Sequence, residues 1–319
     1  MSMPTNTYDT TAMKGIREDL DDVIYNIAPF ETPLISIIER DKATQVFHEW
    51  QTDSLATPTK DNAVIQGDDV SADAATATGR IGNHSQLMDK VVSVTSTAQA
   101  STTAGRKDEL PYQLAKRAKE LKTDIESACM QNNHAVALVS DTTASKLGGL
   151  EVWLATNASH GVGGSTTVTS SGAPTATKLT DGSTRAFTET LLTAMFQSCF
   201  DQGSNPSKVF LGAFNKGQAS SFTGNATKTI NMTEQQIVQG VDVYVHDFGR
   251  VEFIPARHCR TRTVLGINPE YLGLSVLQPT RRTPLAKTGH SDRVMLSTEL
   301  TLKVSNQKAH FKVADLTTA

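Results

Sequence analysis

The sequence has little of what catalysis or membrane insertion requires. Its three cysteines, Cys129, Cys199 and Cys259, are far apart and odd in number. They form no CxxC pair and no disulfide framework, which fits reduced thiols in an intracellular compartment. No apolar run reaches the roughly 18 residues of a membrane-spanning helix. The opening residues, Met1-Ser-Met-Pro-Thr-Asn, carry neither a basic stretch nor an apolar core, so no secretory leader is expected. Neither sign of charge dominates: 30 Lys and Arg face 33 Asp and Glu, a net charge of −3. That balance argues against a surface given over to nucleic acid or membrane.

Catalytic signatures are equally scarce. The eight histidines (48, 84, 134, 160, 246, 258, 290 and 310) show no HxxxH or HExxH spacing, so a local zinc motif is absent. No GxSxG elbow occurs. Gly163-Gly-Ser165 falls in a loose Gly/Ser/Thr stretch where a nucleophile cannot be held rigidly. Gly212-Ala-Phe-Asn-Lys-Gly217 has the two glycines of a phosphate-binding loop, but Gln218 and Ala219 follow where a lysine and a hydroxyl are needed. The acidic run Glu18–Asp22 and the pair Asp68–Asp69 read as solvated surface rather than a metal cage. Arg257, Arg260 and Arg262 read as a salt-bridged or wet strand face more than a phosphate site. Asn83-His-Ser85 and Asn157-Ala-Ser159 match a glycosylation sequon by chance in a chain without a leader. Trp50 and Trp153 are too few and too separated for a stacking platform. The expectation is no catalytic residue, no cofactor-binding residue, no metal ligand and no enzyme.

What is present points to a multi-part scaffold. A chain of 319 residues exceeds what one core usually serves. Its 38% hydrophobic content suffices for real cores, and its 42 threonines favour strands and loops. No internal repeat is visible. Ile16, Leu20, Ile24 and Ile27 mark a short amphipathic helix over 13–27, ended by Pro29. Residues 44–56 alternate as a strand, residues 57–86 are poor in large apolar side chains, and strand character returns over 87–100. This predicts a long two-stranded excursion with a polar tip, a form marginal in isolation and therefore laid on another surface, a neighbouring subunit being one candidate. Leu110, Leu114, Ala118, Leu121, Ile125 and Ala128 form one stripe, predicting a long helix over 108–134. A Gly/Ser/Thr-rich surface loop is expected at 155–184. Further on come a helix at about 188–202, a buried strand at Val209–Leu211, a short helix at 214–222 and a hairpin at 241–254. Strands are predicted at 264–267, 272–277 and 299–304.

Several stretches carry a resemblance. They are 17–34 (Arg-Glu-Asp-Leu-Asp-Asp-Val-Ile-Tyr-Asn-Ile-Ala-Pro-Phe-Glu-Thr-Pro-Leu), 49–56 (Glu-Trp-Gln-Thr-Asp-Ser-Leu-Ala), 241–249 (Val-Asp-Val-Tyr-Val-His-Asp-Phe-Gly), 285–292 (Leu-Ala-Lys-Thr-Gly-His-Ser-Asp) and 299–304 (Glu-Leu-Thr-Leu-Lys-Val). In this order they resemble the major capsid proteins of tailed bacteriophages with the Hong Kong 97-type fold, in particular the short-tailed, prolate-headed branch. The resemblance implies an α+β capsid fold in four parts. These are an N-terminal arm (1–44), an extended β-hairpin loop (45–100), a peripheral domain with a long spine helix (101–139 and 263–319) and a mixed α/β axial domain (140–262). It implies a major capsid protein that self-assembles into an icosahedral or prolate shell around double-stranded DNA. The implied partners are further copies of the chain in hexamers and pentamers, portal and scaffold proteins, and packaged DNA held without sequence specificity. No membrane and no cofactor are implied. The place is the virion, after synthesis in the host cytoplasm. The 155–184 stretch departs from the family pattern, and no cross-linking motif carries over. A near-neutral wall suits a DNA container, because a strongly basic one would trap the genome. The competing readings are another virion component, such as a tail protein, and a cytosolic α/β enzyme with a non-local site.

Overall fold

A computed structural model of the chain describes residues 31–67, 69, 74–75, 77–101, 108–139, 142–166, 177–222, 230–231, 236–237 and 242–318. The helix expected at 13–27, the 18–22 acidic run, Asp68 and the centre of the Gly/Ser/Thr stretch (167–176) lie outside the described residues.

In chain order the first elements are α1 (Pro33–Ile37), β1 (Glu39–Lys42), β2 (Phe47–Thr52), β3 (Gly79–His84), β4 (Gln86–Thr95) and α2 (Ser96–Ala100). The long helix α3 (Glu109–Met130) and the short α4 (Leu150–Trp153) follow. Next come β5 (Ala158–Ser159), α5 (Glu189–Asp201), β6 (Lys208–Leu211), α6 (Ala213–Ala219), β7 (Ile230–Asn231) and β8 (Gln236–Ile237). The chain closes with β9 (Val243–His246), β10 (Gly249–Pro255), β11 (Val264–Ile267), β12 (Leu272–Leu285), β13 (Ser291–Val304) and β14 (Phe311–Val313).

Two sheets organise these elements. A four-stranded sheet runs β1-β12-β13-β4 and a six-stranded sheet runs β5-β14-β11-β6-β10-β9. The pairs β2-β3 and β7-β8 stand apart as two-stranded ribbons. Each sheet has its own core. One gathers Leu34, Leu121, Ile125, Trp153, Leu274 and Leu302; the other gathers Leu192, Phe196, Val209, Phe253, Phe311 and Val313. Strands β6 and β11 knit the two together, because side chains alternate across a strand. Phe210 and Leu265 point to the first core, while Val209, Leu211 and Val264 point to the second. Gly266 keeps that packing possible: a Cβ there would lie 2.0 Å from the Phe311 ring.

Helix α5 forms where sequence predicts it. Thr188 Oγ1 accepts from Leu191 N at 3.4 Å, and Gly203 with φ of 85° lets the chain leave. Its Phe200 is 53% exposed.

Four expectations are corrected. Residues 44–56 do not pair with 87–100. The partner of β2 is β3, from Phe47 opposite His84 to Thr52 opposite Gly79, while β4 pairs antiparallel with β13 in the four-stranded sheet. The strand predicted to reach 100 ends at Thr95, whose hydroxyl caps α2 by accepting from Ala98 N. Residues 33–42, expected within a free arm, dock on the body: β1 lies parallel to β12 from Gly273 to Val276. Strands β11 and β14, expected with the peripheral part at 263–319, join the sheet built by the 140–262 block. In addition, the strands expected at 272–277 and 299–304 are two 14-residue strands, paired over most of their length.

Candidate functional site

Helix α3 has 22 residues, about 33 Å at 1.5 Å each, and ends at Met130 rather than 134. Its predicted stripe is covered along only part of its length. Leu121, Ile125 and Ala128 are buried, Leu110 and Leu114 are half-buried, and Ala118 is exposed. The open part borders an apolar groove of about 710 Å³ between α3, α1, β1 and β12. Beside it, Glu126 is fully buried and takes both ends of a backbone clamp. Leu34 N donates to Oε1 at 2.8 Å and Ile35 N to Oε2 at 2.9 Å. Burial pushes the Glu126 carboxyl above its ordinary value, and the two N–H donors pull it back. The carboxylate thus pins the root of the arm to the long helix.

The excursion is riveted at its base, and its described residues beyond Thr52 are exposed. Asn83 Nδ2 donates to Leu302 O at 2.8 Å, and its Oδ1 accepts from Gly148 N at 2.8 Å. Thr301 Oγ1 donates to His84 O, and Ser85 Oγ to Glu299 Oε1. Trp50 packs on the fully buried Trp153 with ring centroids 5.5 Å apart. The two tryptophans are brought together, then, as a core contact rather than a stacking platform. Beyond Thr52 no strand pairing holds the described residues, and Leu55, Val64 and Ile65 are 99%, 88% and 78% exposed.

The six-stranded sheet carries a network of charges, buried at Glu151, Lys312 and Asp315 and open to water at Asp181, Arg257 and Glu31. Arg260 pairs with Glu151 at 2.9 Å and Asp181 at 2.7 Å. Arg262 reaches Asp315 at 3.1 Å. Arg257 pairs with Glu31 at 3.4 Å, so the arginine patch is salt-bridged, as read from sequence. The buried Asp315 also accepts from Gly161 N at 2.9 Å and Gly182 N at 2.7 Å. Lys312 Nζ donates to Glu151 O and to the Thr166 hydroxyl. Burial pulls the Lys312 ammonium down to about 7, with Glu151 and Asp315 opposing. The ends of the 155–184 stretch are therefore built into the sheet. Ser165 pairs with Thr180 and Leu179 is buried, so the ends are held, while most described residues of the stretch lie at the surface as expected. These paired charges hold backbone in place at Gly161 and Gly182.

The remaining residues weighed in the sequence stay dispersed. Among the described residues no group of His, Cys, Asp and Glu is placed to hold a metal. The three cysteines are free and buried, and burial pushes the Cys199 thiol up to about 12. Gly212–Gly217 opens the short helix α6. Glu126 and Asp315 escaped the sequence reading, because a lone acid beside apolar neighbours gives no signal of its burial.

Comparison with known proteins now decides the family. The sequence model of the family described as SU10 major capsid protein matches residues 3–317. The chain belongs to the SU10 major capsid protein family. The major capsid protein of Escherichia phage Phieco32 is 32% identical over 115 residues, 36% of this chain and 33% of that protein. The match thus spans about a third of that relative's length. Among solved structures, the capsid asymmetric unit of cyanophage A-1(L) superposes with a TM-score of 0.65 at 12% identity, covering 98% of this chain and 99% of that one. A native GTA particle capsid gives 0.58 at 8% identity, covering 97% and 98%. At such identities the likeness shows the fold, the mixed α+β fold of Hong Kong 97-like phage capsids. A major capsid protein is a structural component of the virion, and family membership gives this chain that role.

Proposed function

We propose that this chain builds the phage head by packing copies of itself as hexamers and pentamers into a closed shell around double-stranded DNA. One observation carries the reading: a β-ribbon fixed to the body at its base, with a loop beyond it that leaves Leu55, Val64 and Ile65 in water. A lone subunit gains nothing from that exposure, whereas a neighbour that covers it gains apolar burial of about 25 cal/mol per Å². Many such contacts, each weak, make a shell effectively irreversible. The division into arm, extended loop, peripheral domain and axial domain, with β11 and β14 counted in the axial sheet, belongs to the same proposal. So do the short-tailed, prolate-headed branch, portal and scaffold partners, non-specific contact with the packaged genome and synthesis in the host cytoplasm.

The test is the size and shape of the purified protein. Closed polyhedral particles, or rings of subunits that precede them, are the expected result by light scattering and electron microscopy. A stable monomer of 34.3 kDa at high concentration overturns the reading. Tubes or fibres in place of polyhedra transfer it to a tail component.

A further inference from the structure

We propose that the distal half of the β12–β13 hairpin is the surface on which this chain meets the phosphate backbone of packaged duplex DNA. The inference rests on the reading that the shell holds DNA, and it names where the contact falls.

Three observations converge on this partner. The first is unpaired charge. Elsewhere Arg80, Arg117, Arg257, Arg260 and Arg262 each meet a carboxylate. Arg281, Arg282 and Arg293 are exposed, and among the described residues none of them enters an ion pair. Between Gln278 and Arg293 the one acid is Asp292, already held by Lys287 at 2.5 Å. Lys287 and His290 complete an exposed basic corner in a chain whose net charge is −3. The second observation is spacing. Leu285 lies opposite Arg293, so Arg281, four residues before Leu285, shares the face of Arg293. At 3.4 Å per residue the two cations stand about 14 Å apart, close to the roughly 12 Å width of a major groove. Arg282, opposite Leu296, leaves from the other face. Strand β1 accompanies β12 only to Val276, so β12 is an edge at this level among the described residues and long side chains from both faces reach one rim. The third observation is what the corner lacks. None of the exposed large apolar side chains among the described residues lies between 272 and 318. A protein partner is anchored by such side chains. Phosphates take cations and hydroxyls instead, and Thr280 and Thr288 stand exposed beside the arginines. A contact of a few charges is weak in one copy and adds up over a shell.

The experiment titrates the full-length, unassembled subunit into a fluorescein-labelled duplex of mixed sequence and follows polarisation as salt rises. Three neutralised phosphates imply that binding weakens roughly 40-fold between about 50 and about 200 mM salt. Arg281→Gln, Arg282→Gln and Arg293→Gln together should cut that dependence to about fourfold or less, with the subunit's melting temperature unchanged. Each single Gln substitution should remove about a third of the slope. The triple Lys variant keeps the charge and should keep the natural slope, which a merely structural role for the arginines would not require. A triple Gln variant with the natural salt dependence overturns the proposal, as does a natural subunit that leaves the duplex unbound. A synthetic peptide of residues 53–78, with five aspartates and one lysine, serves as competitor. If it displaces the duplex at lower concentration than unlabelled duplex does, the corner belongs to an acidic protein segment and the proposal falls. Electron microscopy of the natural chain tests the shell reading separately. Closed particles with a flat duplex titration remove the corner alone. Duplex binding through these arginines without particles removes the shell reading and leaves a phosphate-binding corner.

Discussion

The extended loop beyond Thr52 and the Gly/Ser/Thr stretch at 155–184 look alike in composition, since both are polar, poor in large apolar side chains and free of helical periodicity. The structure treats them oppositely. The ends of the second are fastened by the buried Asp315, which accepts from Gly161 and Gly182 and pairs with Arg262. The described part of the first touches little, and Leu55 is 99% exposed. What separates them is the company each keeps. The glycines at 161, 164 and 182 admit backbone close to a buried carboxylate, whereas the loop at 53–67 meets no such receiving group among the described residues. Polar composition thus describes two opposite states, one already satisfied within the subunit and one left for a neighbour.

The largest way to break this comparison is to remove the open member. Deletion of residues 54–66 spares β2 and β3 with the Asn83 contacts, so the subunit should fold with an unchanged melting temperature and assembly should be lost. Light scattering and electron microscopy check the second point. A deletion reaching 86 is a different experiment, because it takes away β3, the buried Ile81 and the anchor Asn83. Normal particles from the shorter deletion would show that the loop is as self-sufficient as its polar counterpart.

The closed member should fail in the opposite way. Asp315→Ala strands the two glycine N–H groups and takes one partner from Arg262, which keeps Gly182 O and Asp181, at a cost of about 2–4 kcal/mol. Urea unfolding of the unassembled subunit would measure it. Asp315 also sits at φ of 61°, a conformation Asp tolerates better than Ala, which adds to the loss. A change below about 1 kcal/mol would mean that the stretch is as loosely held as composition suggests.

Local signals explain which of these features sequence can reveal. Helix α5 was legible because a cap, a periodic apolar face and a stop glycine all lie within sixteen residues, Thr188 to Gly203. The hairpin β9-β10 was legible from alternation around a turn. Strand β3 was not, because Gly-Arg-Ile-Gly-Asn-His offers one large apolar side chain, and its place depends on Asn83 reaching Leu302 from 219 residues away. The stripe on α3 was legible as a face, but period alone says nothing of where along the helix one subunit stops covering it. Strand β11 was found as an apolar run and β14, only three residues long, was missed, and the sheet they share is a matter of topology that local pattern does not encode. For the candidate assembly surface, sequence showed the long excursion and missed the groove, which is made by elements distant along the chain.

Glycine substitutions sharpen the contrast at smaller scale. A Cβ on Gly182 would lie 2.5 Å from Gly164 N and 2.8 Å from Gly161 O, both backbone atoms that cannot swing aside. Gly182→Ala should therefore destabilise the subunit by roughly 2 kcal/mol. Gly67, in the loop, has φ of 89° with nothing within 4 Å of its added Cβ. There only the left-handed backbone opposes a side chain, and Gly67→Ala should cost the subunit about 1 kcal/mol, less than the loss at Gly182.

The narrowest test is a pH slope confined to the closed region. Lys312 is held near 7 in the folded chain against an ordinary 10.5, mainly because burial disfavours its charge. Glu151, Asp315 and Arg260 face it electrostatically, and His160 meets it through the shared Thr166 hydroxyl. Between those two values the unfolded chain keeps a proton that the folded chain has released. Stability must then rise with pH, by at most about 1.4 kcal/mol per unit from this group. Below about 7 both states are protonated, and the slope from Lys312 vanishes. Lys312→Met removes the titrating group, so the difference in urea midpoint between the two proteins should shift steadily in favour of the natural chain from pH 7 to 9. It should stay level from pH 5.5 to 6.5. A difference independent of pH across the whole range would place the ammonium in water, and with it the root of the 155–184 stretch on the same loose footing as the extended loop.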